Sequence, residues 1–428
     1  MQNKLPLVVT TLALASSASA QNQLRWFENC SSNSSCTSNM EFAASYGSAL
    51  EPRILPIDFD LDNDIDFLDG TVLIQNQTVN PSGSPNFNGF VDASSRVVLT
   101  GGLSLSAMSA SASADFDLDG DPDVAAVTAP QFGGGYLWLL SNVVGEPQGG
   151  VRQLLDARAQ SWITDMNGIS GRFRALEAGD FNGDGRPDLM AGMYSSPNNP
   201  AGLVLFTNTA IADSDQKGTQ PVRFTASYVP AFTGSVETLA VGDLDGDGDL
   251  DVALGGGTIS APIRAIARND GEGNFTIESL PPVMSGGYPL TVEAADLDAD
   301  GDLDVLFGHM ALGSAQGQWS GGQIELFENI QSTFGTGFIS VGSFGATSSY
   351  SDIEVGDIDE DGLADIVTSC RLESAYTFQL PGRTRVFSRA GNMFVEVTGS
   401  RIDSDLNVPQ GGWSLMLEDL DLDLDFDP

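Results

Sequence analysis

Short runs in which apolar and polar residues alternate recur along the chain, separated by turns rich in aspartate and glycine. Residues 237–242 alternate before an acidic run, and residues 252–255 form a short apolar run after it. Alternation is typical of a half-buried β-strand, and a short apolar run between turn signals is typical of a buried one. A third run, such as residues 204–208, and a fourth, such as 223–228, complete the pattern. The sequence therefore predicts units of four short β-strands.

The acidic run between the first and second strands has a pattern typical of metal ligands. In residues 243–251 aspartates stand at every second position. Oxygen ligands at positions 1, 3, 5 and 9, with a backbone carbonyl at position 7, form the first part of a calcium-binding loop. Gly248 at position 6 permits the positive φ that turns the loop back. Leu254 stands where an EF-hand has its position-12 glutamate, and a strand follows. The run thus predicts a nine-residue calcium loop between two strands.

The same acidic run occurs seven times, which decides the predicted fold. Successive runs begin 53 to 65 residues apart, and their first residues are Asp58, Asp115, Asp180, Asp243, Asp296, Asp357 and Asp419. A repeat of this length with four strands per unit is typical of a β-propeller. We therefore predict an all-β, seven-bladed β-propeller with calcium-binding loops between strands 1 and 2 of each blade.

Two of the runs resemble a known family. The sequences DFNGDGRPDL at 180–189 and DLDGDGDLDV at 243–252 resemble the calcium loops of FG-GAP (VCBS-type) repeats, which occur in the integrin α-subunit propeller and in many secreted microbial proteins. The resemblance extends over nearly the whole chain after residue 20. It implies the propeller fold and bound Ca²⁺, but no single activity, because the family includes adhesins, lectins and modules attached to enzymes.

Up to seven Ca²⁺ ions are expected, each held by side chains at positions 1, 3, 5 and 9 of one loop. The seventh site is the weakest expectation, because Leu424 replaces the turn residue and a bulky residue at positive φ costs about 1 kcal/mol or more. The expected ligands are Asp58, Asp60, Asp62 and Asp66; Asp115, Asp117, Asp119 and Asp123; Asp180, Asn182, Asp184 and Asp188; Asp243, Asp245, Asp247 and Asp251; Asp296, Asp298, Asp300 and Asp304; Asp357, Asp359, Asp361 and Asp365; and Asp419, Asp421, Asp423 and Asp427.

The first 20 residues have the three parts of a secretory signal peptide: Lys4, an apolar core at 5–14 and small residues at 18–20. Residues 21–428 are then predicted to form one propeller. Within it, residues 21–57 would supply the outer strands of the closing blade and the first strand of blade 1, while residues 413–418 would be the first strand of the closing blade. The N- and C-terminal strands would thus close the ring.

Charge limits the possible partners. The chain has 58 acidic against 18 basic residues, and 32 of the aspartates stand at odd positions of the seven loops. This excess argues against nucleic acid, whose phosphates require basic patches, and against anionic membrane surfaces. No segment after the signal peptide is apolar enough to insert into a membrane. We therefore expect a secreted, extracellular monomer.

Catalytic groups are scarce, so a binding role is favoured over an enzyme. His309 is the only histidine, which makes a Ser-His-Asp triad or a multi-histidine zinc site hardly possible. The favoured function is a binding or adhesion module for a glycan or an extracellular protein, with aromatic residues on the face opposite the calcium loops; Trp162, Trp319, Tyr194, Tyr288 and Tyr350 are the candidates. The alternatives are a polysaccharide lyase with His309 as general base, in contact with Tyr or Arg, or a fragment of a larger surface protein.

Overall fold

A computed structural model provides the structure of the chain. It describes residues 8–11, 23–25, 41–42, 54–69, 72–77, 90–99, 108–128, 136–144, 152–156, 163–194, 201–209, 222–230, 232–258, 260–281, 287–313, 319–332, 335–345, 348–358, 361–375, 378–381, 383–391, 393–401 and 412–417.

The regular secondary structure of the described residues consists of β-strands, apart from one short 3₁₀ turn at Ser94–Arg96 and one short helical turn at Thr398–Arg401. The strands in chain order are β1 (Val8–Thr11), β2 (Gln23–Arg25), β3 (Glu41–Phe42), β4 (Leu55–Ile57), β5 (Asp66–Asp69), β6 (Val72–Asn76), β7 (Phe90–Asp92), β8 (Val97–Val98), β9 (Met108–Ala114), β10 (Asp123–Thr128), β11 (Leu137–Val144), β12 (Arg152–Asp156), β13 (Ile163–Asp165), β14 (Arg172–Gly179), β15 (Asp188–Tyr194), β16 (Gly202–Asn208), β17 (Arg223–Tyr228), β18 (Val236–Gly242), β19 (Asp251–Thr258), β20 (Ala261–Asn269), β21 (Phe275–Ser279), β22 (Pro289–Ala295), β23 (Asp304–His309), β24 (Ala311–Gly313), β25 (Trp319–Gly321), β26 (Ile324–Ser332), β27 (Gly335–Phe344), β28 (Ser348–Gly356), β29 (Asp365–Ala375), β30 (Phe378–Pro381), β31 (Arg385–Ala390), β32 (Met393–Glu396) and β33 (Gly412–Met416).

Six sheets follow one another along the chain as the blades of a β-propeller. Each blade contains four antiparallel strands in the order in which the chain supplies them, beginning with the inner strand. In blades 2 and 3 the short strands β8 and β13 add a parallel fifth strand at the outer edge, and in blade 6 β30 pairs with β29. Blades 1 to 6 are β4-β5-β6-β7, β9-β10-β11-β12, β14-β15-β16-β17, β18-β19-β20-β21, β22-β23-β26-β27 and β28-β29-β31-β32. The inner strands of successive blades pack side by side. The predicted order of strands within a unit is therefore confirmed, as is the all-β propeller architecture.

The prediction of seven blades is wrong, because the described structure has six blades of the predicted kind. A seventh blade would need two strands joined by the loop at 419–427, and that loop lies outside the described residues. The chain ends instead share a sheet in the order β3-β2-β1-β33. In this sheet β1, which falls within the predicted signal peptide, pairs with β33 and occupies the place where a second strand was expected.

The core lies between neighbouring blades. Each cluster of buried residues between two blades contains the position-2 residue of the earlier blade's acidic loop. These residues are 0–3% exposed and are Phe59, Phe116, Phe181, Leu244, Leu297 and Ile358. The Phe116 ring meets the Phe224 ring of blade 3 edge to face, with centroids 5.4 Å apart. Because burial of an aromatic side chain is strongly favourable, this packing anchors each loop to the next blade.

One cysteine can be placed and two cannot. Cys370 is fully buried in β29, as expected for a thiol in a second strand. Cys30 and Cys36, which the sequence suggests as a local disulfide, lie outside the described residues.

Candidate metal centre

Each described acidic loop is held in one conformation by its first aspartate. The two carboxylate oxygens accept hydrogen bonds from the backbone N–H groups at positions 5 and 6, over 2.7–3.2 Å. The accepting residues are Asp58, Asp115, Asp180, Asp243, Asp296 and Asp357. The position-5 carboxylate in turn accepts from the N–H at position 7 in every one of these loops. The backbone therefore curls around the carboxylates, as an aspartate-rich turn does.

Positive φ angles occur where the loop was predicted to turn, and at one further position. The position-6 residues have φ from 71° to 100°; they are Asn63, Gly120, Gly185, Gly248, Gly301 and Gly362. Position 4 also adopts the left-handed region, even where it is not glycine: φ is 61° at Leu61, 60° at Leu118 and 61° at Ala299. The sequence does not mark this second turn, because only position 6 carries glycine in most loops.

The position-9 aspartate is the most buried ligand. Its exposure is 0–2% in Asp66, Asp123, Asp188, Asp251, Asp304 and Asp365. In blade 4, Asp251 accepts the N–H of Leu244 at 3.2 Å and the N–H of Asn269 at 2.8 Å. The same pair of bonds occurs in blades 1, 2 and 5. This carboxylate therefore joins the loop to the third strand of its own blade.

In blades 2 to 5, an asparagine at or near the end of the third strand joins its blade to the preceding one. The Asn269 amide donates from Nδ2 to the carbonyl of Phe181, the position-2 residue of the third loop, at 2.8 Å. The equivalent bonds are 2.9 Å for Asn142 to Phe59, Asn208 to Phe116 and Asn329 to Leu244. Four blade junctions are thus tied through an acidic loop. We call these four residues the clamp asparagines.

The position-3 aspartates have carboxylate oxygens suited to a metal ion. In Asp60, Asp117, Asp245 and Asp298, Oδ1 is buried and no hydrogen-bond partner is found for it in the described structure. Leaving such an oxygen unpaired is costly unless a cation satisfies it. One carboxylate oxygen of each residue lies within 4.8 Å of one from each of the others in four groups: Asp58, Asp60 and Asp62; Asp115, Asp117 and Asp123; Asp243, Asp245 and Asp251; Asp296, Asp298 and Asp300.

The donor set of these four groups fits Ca²⁺. Calcium takes six to eight oxygen ligands, mostly carboxylates and carbonyls, and every side-chain donor here is a hard oxygen. The residues present could therefore hold the ion in the first, second, fourth and fifth loops.

Burial and neighbouring negative charge disfavour ionisation of several of the predicted ligand carboxyls and so raise their pKa values. Burial, together with neighbouring carboxylates, raises the pKa of Asp66 and Asp123 to about 9 and that of Asp188 to about 7. Burial likewise raises the pKa of Asp117 to about 7 and that of Asp60 to about 6. A bound divalent cation would favour the ionised form of each of these groups.

The remaining predicted ligands are placed as follows. In the third loop Asp180 and Asp184 take the usual conformation, and Asn182 Oδ1 accepts the N–H of Asp184 at 3.0 Å. In the sixth loop Asp357, Asp361 and Asp365 are described, whereas Asp359 is not. The seventh loop, with Asp419, Asp421, Asp423 and Asp427, lies wholly outside the described residues.

His309 lies between blades 4 and 5 in a buried ionic network. Its Nε2 is 3.1 Å from Arg264 NH1 and 3.2 Å from Glu325 Oε2, and Arg264 is 2.7 Å from Glu325. Arginine can only donate, so Nε2 accepts its hydrogen while Nδ1 donates to the Gln323 carbonyl at 3.2 Å. His309 and Glu325 are 0% exposed.

This burial bears on the lyase alternative. Burial and the Arg264 charge lower the pKa of His309 to about 4. An arginine thus contacts the histidine, as a lyase would require, but the ring has no exposed surface for a substrate.

The face opposite the acidic loops carries exposed tyrosines in blades 2 and 3. Tyr136 precedes β11 and is 62% exposed, and Tyr228 ends β17 and is 39% exposed. Tyr194 ends β15, with the guanidinium carbons of Arg172 and Arg174 each 5.9 Å from its ring centroid. Because strands alternate in direction, these strand ends lie on the face opposite the loops between strands 1 and 2.

The other predicted aromatic candidates are not confirmed as exposed. The expectation for Tyr350 is wrong: it is 0% exposed and packs between blades 5 and 6. Tyr288 is half-buried. Trp162 and the Trp319 side chain lie outside what the structure describes.

Comparison with known proteins agrees with these repeats. The sequence model of the FG-GAP-like repeat matches residues 115–191 and 180–254, which contain the second, third and fourth acidic loops. No curated protein matches the chain. Within the described residues, no helix has the length and apolar character needed to span a membrane.

Proposed function

We propose that this chain, a β-propeller in which residues 115–254 match FG-GAP-like repeats, is a secreted, calcium-stabilised module that binds a glycan or a protein ligand, as in adhesion. The proposal has three parts: calcium in the acidic loops, a ligand surface on the opposite face, and export. Each part rests on different residues and has its own test.

The calcium part rests above all on the position-3 carboxylates. Four loops repeat a buried, unpaired Oδ1 beside two other carboxylates. In an acidic turn exposed to solvent, water would form hydrogen bonds with the carboxylate oxygens. These Oδ1 atoms are buried away from solvent. When bound, Ca²⁺ would neutralise carboxylates that otherwise repel one another. Asp60, Asp117, Asp245 and Asp298 would be ligands together with their neighbours in each loop.

The position of the loops explains how calcium would stabilise the whole propeller. The position-2 residue is buried against the next blade. Its carbonyl accepts a hydrogen bond from the clamp asparagine of that blade. Fixing the loop therefore fixes the contact between blades. A ligand that binds the folded state and not the unfolded chain raises stability by mass action. Calcium would thus stabilise the contacts between blades and not only the conformation of a surface turn.

The ligand surface is proposed on the face opposite the acidic loops. Tyr136 and Tyr228 are exposed there, and Tyr194 lies against two arginines. Exposed aromatic rings on a rigid scaffold suit stacking on a sugar or contact with a protein, and Tyr and Arg are enriched at binding hot spots. The acidic loops would keep negative charge on the other face.

A glycan array with calcium present tests the ligand surface. We expect a retained glycan whose binding falls at least tenfold in Tyr136→Ala and Tyr228→Ala. Leu363→Ala is the control, because Leu363 is 36% exposed and lies in the sixth acidic loop, on the calcium face. Equal binding by all variants would place the ligand elsewhere. New unsaturated chain ends in the bound glycan would instead identify a lyase.

Export is proposed from the predicted signal peptide. N-terminal sequencing of protein recovered from the culture medium should begin near residue 21. Cleavage there would remove β1, which pairs with β33 in the full chain. Recovery of the chain inside the cell with an intact N-terminus would contradict this part of the proposal.

A further inference from the structure

The fourth acidic loop contains a positive charge of its own. Arg268 NH1 is 3.1 Å from Asp251 Oδ2 and 3.6 Å from Asp245 Oδ2, the carboxylates at positions 9 and 3. Both carboxylates belong to the group with Asp243 that could hold a metal ion. Within the described part of the chain, no other loop shows an arginine in ion-pair contact with a position-3 or position-9 carboxylate.

We propose that Arg268 is a built-in counter-ion of the fourth loop, which makes that loop the weakest calcium site among the described complete loops. The inference rests on the proposed calcium function and extends it to a difference between the sites. A cation that enters this loop must compete with a guanidinium for the same oxygens, whereas no ion pair with arginine is described at the position-3 or position-9 carboxylates of the other complete loops.

The location of Arg268 in the repeat supports this role. It immediately precedes the clamp asparagine Asn269, and in blade 1 the equivalent residue is Gln75, whose Nε2 donates to the position-3 carboxylate Asp60. The side chain at this place therefore reaches the position-3 ligand in two separate blades. In blade 1 it is neutral and in blade 4 it is charged. The equivalents in blades 2 and 3 are the short residues Ser141 and Thr207.

The geometry of the loop agrees with a counter-ion. The guanidinium lies within ion-pair distance of two of the three carboxylates that could bind a metal ion. Arg268 therefore offsets part of the negative charge of the fourth loop.

Arg268 also has partners to which it can turn when a metal ion binds. Its Nε lies 3.3 Å from Glu278 Oε2 on the outer strand of the same blade, and its guanidinium carbon lies 5.5 Å from the Phe338 ring centroid in blade 5. Glu278 is not part of the acidic loop. Calcium could therefore displace the guanidinium from the loop without leaving it unpaired.

Two reciprocal substitutions test the inference in the full chain. Arg268→Gln gives blade 4 the residue of blade 1, which keeps a donor and removes the charge. Gln75→Arg gives blade 1 the residue of blade 4. Arg223→Gln, at an exposed position on an outer strand, controls for the change in net charge. Bound calcium is counted by equilibrium dialysis over a range of free calcium, and circular dichroism checks the fold.

We expect one site in Arg268→Gln to bind about tenfold more tightly, the size expected for one charge-assisted contact. Gln75→Arg should weaken one site by a similar factor, and Arg223→Gln should match the original chain. If Arg268→Gln fails to fold, Gln75→Arg decides alone.

Unchanged isotherms in a folded chain that binds calcium would overturn the inference and leave the calcium function intact. A chain that binds no calcium at all would overturn both.

Discussion

Asn269 donates its side-chain amide to the carbonyl of Phe181, 2.8 Å away in the acidic loop of the preceding blade. Its backbone N–H donates at 2.8 Å to Asp251 of its own loop. One asparagine therefore connects two consecutive loops. Because the same arrangement recurs at three other junctions, the loops are part of the contacts between blades and not isolated surface turns.

Asn269→Ala should destabilise the fold by about 1–3 kcal/mol, because it leaves the buried Phe181 carbonyl without its donor. Urea unfolding measures the change. The control is Asn274→Ala, in which an exposed asparagine loses only bonds to Asp270 within a turn; its effect should stay near 0.5 kcal/mol or less, as is usual at the surface. Equal losses in the two variants would argue against the clamp.

Two ion pairs of equal length should differ greatly in their contribution to stability. Arg264–Glu325 and Arg385–Glu396 both measure 2.7 Å, but the Glu325 side chain is 0% exposed and the Glu396 side chain 39%. Removing one partner of a buried pair leaves an uncompensated charge, so Glu325→Gln should cost roughly 3–5 kcal/mol. Glu396→Gln should cost about 0–1 kcal/mol. Comparable costs in chemical denaturation would contradict the assignment of a buried network.

His309 should make the fold sensitive to acid. Its pKa in the folded chain is lowered to about 4 from the ordinary 6.5, so the unfolded chain binds a proton first as the pH falls. The contribution to stability is then complete above pH 6.5 and is lost as the pH falls towards 4, by up to about 3 kcal/mol.

The pH dependence of the free energy of unfolding, compared with that of His309→Gln, isolates this effect from the titrating aspartates. As the pH falls from 6.5 to 4, we expect the free energy of unfolding of the original chain to decrease relative to that of His309→Gln. Parallel curves over that range would show that the ring is already charged, or that it titrates as it does in the unfolded chain.

The local pattern of the chain predicted the features that each unit determines by itself. Strand order, the nine-residue loop and the turn at Gly248 follow from alternation and from one residue type, and the structure has all three. The sequence does not distinguish the clamp asparagines from other residues near the ends of third strands. Their partner is a backbone carbonyl in another blade, and every residue has such a carbonyl, so nothing in the sequence marks it.

The number of blades and the contacts that distinguish one loop from another could not be predicted from the sequence either. Counting acidic runs gave seven blades, but a blade needs strands on both sides of its run, and Val8–Thr11 takes the expected place of a second strand in the sheet of the chain ends. Arg268 lies 17 residues after Asp251 in the chain, and only the pairing of strands brings its charge into the loop. Interactions that depend on neighbouring strands cannot be found from repeat spacing.

An alanine-to-glycine substitution should have opposite effects at position 4 of an acidic loop and in a β-strand. Ala299 is exposed and has φ of 61°, where a side chain costs about 1–2 kcal/mol and glycine costs nothing. Glycine loses more conformational entropy on folding than alanine does, which offsets part of this gain. Ala299→Gly should therefore stabilise the fold by roughly 0.5 kcal/mol. Ala261→Gly, at an exposed strand position, should destabilise it by about 0.5–1 kcal/mol. The same sign in both urea curves would contradict the strain at position 4.

The central claim is that divalent cations hold the acidic loops and, through them, the contacts between blades. The most direct measurement is the melting temperature of the full chain in 10 mM calcium, in 10 mM magnesium and in excess chelator. With dissociation constants of about 10⁻⁴–10⁻³ M, about 10 mM calcium should add roughly 1–3 kcal/mol for each occupied loop. We therefore predict a melting temperature many degrees higher in calcium than in chelator, with magnesium close to chelator. The same melting temperature in all three solutions would contradict the account.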